Sequence, residues 1–381
     1  MNFNLTPEHG QKREEFRKFV TEHIEPNAAE ADALHLFPRE NIEKMARQGY
    51  MGLPIPVEWG GQGSDFFSYI LLIEEISRAC AATGVILSVH TSVGSFPLLL
   101  YGTEEQKKKY LFKLAKGEWL GGFALTEAQA GSDPGALKMT ARYEDGYYYL
   151  NGTKLFITNG GEADLYTVFA STDPGKGSKA ITAFLVEKDV PGLVVGKNES
   201  KMGLNGSATV ELIFENAKVP ADCLLGEENG GLSIALSLLD GGRIGIAAQG
   251  LGIAAASIFY ARDFLKGNPD FLENRGNCQG AAFAMADLYT RLEAAKMLLY
   301  RAAWMKDQGL KCSKEASMAK VTATDLAMDA SSKALSLMGY AAATDRHPVE
   351  RFFRDAKVTQ IYEGTNQIQR IVIARELLKS K

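Results

Sequence analysis

The sequence predicts an α+β chain with helices first, strands in the middle and helices again at the end. Three observations predict it. Apolar residues recur at helical spacing up to about residue 121, as in Phe16, Phe19, Val20 and Ile24. From residue 122 the pattern changes to short aromatic and β-branched runs punctuated by Asp-Gly and Asn-Gly pairs. After Gly230-Gly231 the helical pattern returns, with no strand pattern to interrupt it. These shifts set domain boundaries at 1–121, 122–228 and 229–381.

Taken in order, Thr6-Pro7-Glu8 predicts an N-cap followed by proline in the first turn, where its missing N–H is no loss. Pro54-Ile55-Pro56 and Gly60-Gly61-Gln62-Gly63 predict a loop. Tyr69 to Ala82 carries a second apolar stripe, and Thr103-Glu104-Glu105-Gln106 predicts a cap opening a Lys-rich helix. In the middle region Asp145-Gly146 and Asn151-Gly152 predict tight hairpin turns. Strands are expected at Tyr147 to Leu150, Leu165 to Ala170, Ile181 to Val186, Leu193 to Val195 and Thr209 to Phe214. Helices are expected over Leu232 to Phe264, around Met285 to Leu299, over Lys314 to Met338 and over Gln367 to Leu378. Long striped helices without strands between them suggest a bundle.

Composition excludes several classes. The 381 residues are 46% hydrophobic, enough for a large core. A net charge of -4 and the lack of a basic run argue against nucleic acid. No uninterrupted apolar run approaches 18 residues, so no membrane span is expected. The polar start, Met1 to Glu8, carries no signal-peptide or Arg-rich transit pattern, and a prokaryotic cytoplasmic protein without a targeting segment is expected. Cys80, Cys223, Cys278 and Cys312 are far apart and expected to be reduced. The five histidines are scattered, and no metal site is expected. There is no Gly-x-Ser-x-Gly elbow and no Gly-x-Gly-x-x-Gly after a strand, which leaves a hydrolase triad or a nicotinamide site unsupported.

Four segments hold the candidate chemistry. In Tyr362-Glu363-Gly364-Thr365-Asn366-Gln367 a carboxylate stands beside a glycine after an apolar run. That is either a turn or a general base held where a backbone must approach a ligand, and by itself the turn is the better reading. Phe123 to Asp133 (Phe-Ala-Leu-Thr-Glu-Ala-Gln-Ala-Gly-Ser-Asp) and Phe156-Ile157-Thr158-Asn159-Gly160-Gly161 alternate apolar residues with hydroxyls and end in small residues. Such strand ends can offer N–H groups, hydroxyls and an aromatic face to a planar polar ring. Each, alone, is also an ordinary strand-to-loop transition. The fourth segment is Leu239-Asp240-Gly241-Gly242-Arg243.

In this order and at these separations, the four segments resemble those of the acyl-CoA dehydrogenases. The resemblance covers the whole chain and includes Pro56-Val57-Glu58-Trp59-Gly60-Gly61, Lys201-Met202-Gly203-Leu204 and Arg354-Asp355-Ala356-Lys357. It is nearest to the short-chain, butyryl-CoA type. It implies an N-terminal helical domain, a β-barrel-like middle domain and a C-terminal four-helix bundle, with FAD between the last two. It also implies a role in fatty acid metabolism, a homotetramer built as a dimer of dimers, and an electron-transferring flavoprotein as partner. Glu363 would remove the pro-R α-proton of the acyl-CoA while the β-hydride goes to flavin N5. Leu125 and Thr126 would hold the pyrimidine edge of the flavin, with Phe123 also among the cofactor-binding residues. Phe156 would stack on the ring and Thr158 would hydrogen-bond near N5, with Ile157 also cofactor-binding. Ser132 would stand between the FAD phosphate and the pantetheine arm, with Gly131 beside it among the cofactor-binding residues. Thr365 and Gln367 would meet the pyrophosphate or adenosine. Asp240 and Arg243 would border the CoA channel, with Tyr362 and Gly364 beside the substrate. Arg243 can equally be a buried structural ion pair.

Two positions discriminate within the family. Members that carry the base on the earlier helix do so at the position of Gly242, which leaves Glu363 as the base here. Members that take dicarboxylic or sulfinate-bearing acyl groups have an arginine at the position of Gly84, so an unsubstituted tail is expected. Two segments depart from the family pattern. Asn268 replaces an arginine, with Phe271 and Gln279 kept, and Ser336-Leu337-Met338-Gly339-Tyr340 replaces Gln-x-x-Gly-Gly. Both segments reach the ADP half of a neighbour's FAD in the family, and Arg275 is the candidate substitute here. The alternatives are a dehydrogenase of a branched or cyclic acyl-CoA, or a flavin-poor relative serving as a subunit of an electron-transfer assembly.

Overall fold

The computed structural model describes residues 5–268 and 278–379. Helix α1 (Pro7–His23) opens as expected: the Thr6 hydroxyl accepts from His9 N and Pro7 takes the first helical position. Short helices α2 (Ala28–Ala33) and α3 (Arg39–Arg47) lead to α4 (Phe66–Ala79) and α5 (Ala81–Val89). Every residue of α5 is buried, which explains its lack of a polar face. The chain then passes through a π-helical stretch, His90–Ser95, into α6 (Phe96–Tyr101). Helix α7 (Glu104–Gln106) begins with a complete capping box, Gln106 N to Thr103 Oγ1 at 3.2 Å and Thr103 N to Gln106 Oε1 at 3.1 Å. A second π-helical stretch, Lys107–Leu111, joins it to α8 (Phe112–Lys116).

The middle region is one sheet of β1 (Gly121–Ala124), β2 (Thr140–Glu144), β3 (Tyr147–Thr158), β4 (Leu165–Ser171), β5 (Ile181–Glu187), β6 (Leu193–Asn198), β7 (Thr209–Pro220) and β8 (Leu224–Leu225). The hydrogen-bonded order is β6-β7-β3-β2-β4-β5-β8, with β1 parallel to β4 off this path. The Asp145-Gly146 turn closes β2 onto β3 with positive φ at both residues (48° and 83°), as a two-residue hairpin requires. The hairpin expected at Asn151-Gly152 is absent. β3 runs straight through it, with an irregularity against β7 between Leu150 and Gly152. Asn151 and Asn216 explain the difference, because they bridge the two strands side by side (Nδ2 to Oδ1 3.0 Å, Asn216 N to Asn151 Oδ1 2.9 Å). A glycine inside a strand then marks a bulge rather than a turn.

The last region holds α9 (Gly231–Lys266), α10 (Gln279–Asp307), α11 (Ser313–Met338), α12 (Val349–Thr359) and α13 (Asn366–Lys379). The sequence reading missed α12, an 11-residue helix. Asp307, at the end of α10, receives Phe66 N at 2.6 Å and Phe67 N at 2.9 Å, and so fixes the start of α4 to the C-terminal bundle. The expectation of no membrane span rested on the length of apolar runs, and average hydropathy adds a qualification to that ground. Two stretches, Ala81–Tyr101 and Gly231–Lys266, are long and apolar enough to cross a bilayer by length and composition. Scattered Gly, Ser and Gln break the apolar runs but barely lower the average. In each, 83% of the apolar window is buried inside the protein.

Candidate active site

Glu363 lies in the loop between α12 and α13. Both Glu363 and Gly364 have left-handed backbone, with φ of 53° and 85°. A glutamate held there costs conformational energy that surrounding contacts must offset. Those contacts are present. Gln369 Nε2 donates to the Glu363 carbonyl at 3.1 Å and to the Gly364 carbonyl at 2.9 Å. Thr365 caps α13, its hydroxyl accepting from Ile368 N at 3.2 Å, and Asn366 N donates to Gln360 O at 3.0 Å.

The Glu363 carboxyl sits over Gly242 of α9. A Cβ at Gly242 would stand 2.6 Å from Oε2 and 3.0 Å from Cδ. Burial pushes the carboxyl above the usual carboxylate range, against the pull of Arg243 and Lys320. The Glu363 backbone N–H meets no acceptor among the described residues. Arg243 is buried (8% exposed) and donates Nη1 to Asp240 Oδ1 at 2.9 Å. Ser313 Oγ donates to the other Asp240 oxygen at 2.5 Å. The ion pair anticipated for Arg243 is therefore real, yet its Nε remains buried without a partner. Tyr362 donates its hydroxyl to Gln249 Oε1, and Gln249 Nε2 donates to Ala81 O at 2.8 Å.

A second set of residues lies on the sheet. Phe156, at the end of β3, has φ 57° and is 62% exposed, so a left-handed backbone holds an aromatic ring out of the core. Ile157 beside it is buried, while Thr126 and Thr158 are partly exposed. Leu155 N donates to Thr126 O at 2.9 Å and joins the two segments. Beneath them Lys154 and Glu127 form a buried ion pair at 2.7 Å, and Lys154 Nζ also donates to Leu125 O at 3.0 Å. Burial brings the Lys154 ammonium down to about 8, although Glu127 opposes the shift. The Glu127 carboxylate also receives Lys138 N at 2.7 Å and Met139 N at 3.1 Å.

Phe123 packs edge-on against Phe169, with centroids 5.0 Å apart. His90 anchors β1: Nδ1 accepts from Gly121 N at 3.0 Å, which assigns the proton to Nε2, facing Leu114 O at 3.1 Å. Asn159 anchors the end of β3 through Ile86 O at 3.2 Å and Gly121 O at 3.1 Å. Gly131 and Ser132 are exposed, and nothing stands within 4 Å of where a Gly131 Cβ would be.

The structure thus forms two sets, Glu363 with Arg243, Asp240 and Tyr362, and the sheet edge from Phe123 to Thr158. Among the described residues no hydrogen bond or ion pair joins them. Gly84 packs against α4, and a Cβ there would meet Ser77 Oγ at 2.2 Å. Tyr340 is 89% exposed, and Gln279 opens α10. Phe271 and Arg275 lie outside the described residues. A cleft of about 840 Å³ between α1, α4, α9 and α12 contains none of the predicted site residues.

Two residues close to these sets escaped the sequence reading. Lys154 falls on the inward side of β3 with Tyr148 and Leu150. Lys320 falls on the buried stripe of α11 with Ala316, Ala323 and Ala327. In each case the available signal was a lysine in phase with apolar neighbours.

Three family models match the chain: acyl-CoA dehydrogenase N-terminal domain over residues 6–118, middle domain over 122–217 and C-terminal domain over 229–378. The short-chain specific acyl-CoA dehydrogenase of Clostridium acetobutylicum is 46% identical over 379 residues, covering 100% of both chains. Butyryl-CoA dehydrogenase from Megasphaera elsdenii superposes with a TM-score of 0.96 at 41% identity, covering 100% of each chain. A chain in a structure described as the electron transferring flavoprotein of Acidaminococcus fermentans superposes with a TM-score of 0.97 at 45% identity, again over 100% of each chain. With all three models matched in order and full-length similarity at this level, the chain belongs to the acyl-CoA dehydrogenase family.

Proposed function

We propose that this oxidoreductase removes one hydrogen from each of the α and β carbons of a short, unsubstituted acyl-CoA, giving the trans-2-enoyl-CoA, or runs the reverse reduction. The observation that carries the reading is the Glu363 carboxyl held over Gly242, with the same residue's N–H left free.

The α-proton of a thioester is too weakly acidic for a carboxylate in water. Burial of Glu363 raises its basicity toward a useful range. The unpartnered Glu363 N–H is a donor for the thioester oxygen, where charge develops as the proton leaves. One residue thereby takes the proton and steadies the anion it creates. Arg243, with one N–H unused, offers charge at the same end of α9.

The cofactor is FAD, and the residues present fit it. The exposed Phe156 ring is a surface for a flat heteroaromatic, Thr126 and Thr158 supply hydroxyls, and the open space at Gly131 admits a close approach. FAD, when bound, supplies the acceptor for the β-hydride. Phe123, Leu125 and Ile157 hold the sheet edge that meets it. Gln367, in the first turn of α13, and Thr365, which caps it, offer N–H groups suited to a phosphate. Ser132 lies on the exposed loop toward the pantetheine arm. Asp240 fixes Arg243, and Tyr362 and Gly364 flank the base.

Gly84 supports an unsubstituted tail, because an arginine there would first have to displace Ser77. The division into 1–121, 122–228 and 229–381 follows the changes from helix to sheet and back. A homotetramer is supported by exposed Phe283, Met297 and Trp304 at seven-residue multiples on α10, and by Ile371 and Leu378 on α13. An electron-transferring flavoprotein is the proposed acceptor.

Anaerobic mixing with butyryl-CoA should bleach the flavin bands of the purified protein. Glu363→Gln should bind the acyl-CoA but lose flavin reduction by roughly 100- to 10,000-fold. Faster bleaching by branched or cyclic acyl-CoAs would redirect the substrate assignment. A protein that cannot be reconstituted with flavin would end it.

A further inference from the structure

We propose that Lys320 is a positioning residue for the proton-abstracting Glu363, fixing the base loop through hydrogen bonds and holding the carboxylate in its ionised form through charge. The proposal rests on the reading of Glu363 as the base.

Lys320 is fully buried on α11. Its Nζ donates to the carbonyl of Gly364, the residue after the base, at 3.0 Å and to Asn366 Oδ1 at 2.8 Å. Both acceptors are neutral. An ammonium buried against neutral partners is costly to the fold, so its presence calls for a compensating role.

The neighbours of Lys320 on α11 extend the same strap. Asn366 Nδ2 donates to Thr324 Oγ1 at 2.9 Å and to Asp325 Oδ1 at 2.8 Å. Gln360 Nε2 donates to Asp325 Oδ1 at 2.7 Å, and Arg370 pairs with Asp325 Oδ2 at 2.8 Å. One face of α11 therefore grips the loop on both sides of Glu363, whose backbone is left-handed and would relax if released.

The charges around the base come from four elements. Glu363 feels the charges of Arg243 of α9 and Lys320 of α11, and its own charge reaches Tyr69 on α4 and Tyr362 in its own loop, whose hydroxyls donate to Ser88 O and Gln249 Oε1. Lys320 in turn is faced by Glu363, Asp325 and Arg243. Asp240 already occupies Arg243, which leaves Lys320 as the cation without a carboxylate bonded to it. Burial lowers the Lys320 ammonium to about 7, while Glu363 and Asp325 oppose the fall. Removing this cation withdraws support from the Glu363 carboxylate, so the base stays protonated to higher pH.

The experiment compares Lys320→Gln, which can still donate to Gly364 O, with Lys320→Met, which cannot. In each holoenzyme the pH dependence of flavin bleaching by butyryl-CoA is measured anaerobically. The Glu363 carboxyl band is read by infrared difference against Glu363→Gln, and amide exchange is followed over residues 360–370. Both variants should move the acid limb of the rate profile up by about one pH unit, with roughly tenfold slower bleaching at pH 6. The protonated-carboxyl band should persist to correspondingly higher pH. Only Lys320→Met should speed exchange in the loop. A wild-type profile and band in Lys320→Gln, with Glu363→Gln inactive, would overturn the proposal while leaving the base in place. Full activity in Glu363→Gln would instead remove the base and the proposal with it. Should Lys320→Met fail to fold, the Lys320→Gln profile and band decide.

Discussion

The carboxyl of Glu363 fills the space that any side chain on Gly242 would need: a Cβ there would lie 2.6 Å from Oε2. One residue lies in the loop before α13 and the other on α9, 121 positions apart in the chain, yet they specify one point in the site. Glycine at 242 is thus part of the seat of the Glu363 carboxyl.

Gly242→Ala separates catalysis from stability. The added methyl must displace the carboxylate, and misplacement of a base by about 1 Å costs roughly 100-fold in rate. The same substitution inside α9 favours the helix by up to about 1 kcal/mol. Stopped-flow bleaching should therefore slow while the thermal midpoint holds or rises. An unchanged rate would show that the carboxyl is not used where it stands.

The buried Lys154–Glu127 pair supports the sheet edge that carries Leu125, Thr126 and Phe156. Lys154→Met leaves Glu127 ionised and unpaired, a loss of about 3–5 kcal/mol. The double variant Glu127→Gln with Lys154→Met removes the stranded charge and should recover part of that loss. Urea midpoints and flavin retention on gel filtration would read both. A double variant less stable than Lys154→Met would contradict the charge argument, since it would place the value of Glu127 in its bonds to Lys138 and Met139 alone.

How much of this was legible in the sequence follows the range of the interactions. Thr6 and Thr103 were readable as caps because a cap depends on three or four successive residues. The Asp145-Gly146 hairpin was readable for the same reason. Asn151-Gly152 carries the same turn chemistry, but Asn216, far along the chain, reaches across and keeps β3 straight. Helix α12 was missed because its charged residues, Glu350, Arg351, Arg354 and Lys357, mask a short apolar stripe. The segment around Glu363 was singled out by its motif, which is local. The seat at Gly242, the free N–H and the Lys320 strap arise from helices meeting in space, which no local pattern records.

Asp355 offers a test of pH dependence. It is buried and accepts from Leu204 N at 2.6 Å, and burial raises its carboxyl to about 6, with Asp32 adding to the shift and Arg351 and Arg354 opposing it. An unfolded aspartate titrates near 3.9. The folded protein therefore holds this proton more tightly, so its contribution is present below about pH 4 and is lost as pH rises through about 6. Asp355→Asn cannot ionise and keeps an oxygen for Leu204 N. It should match the wild type at pH 4 and exceed it by on the order of 2 kcal/mol at pH 7. Urea titrations at the two pH values decide; a variant weaker at pH 7 would show that the ionised form is the stabilising one.

Helix α9 has a consequence for how the protein is made. Its apolar window would pass for a membrane segment on hydropathy alone, and its neighbours in the fold include α4 and α5, which are synthesised well before it. Part of the surface that receives α9 is thus synthesised before it, and the larger part, on α10, α11 and α12, after it. Fragments or fusions that begin after the first helices would leave the α4 and α5 side of α9 uncovered.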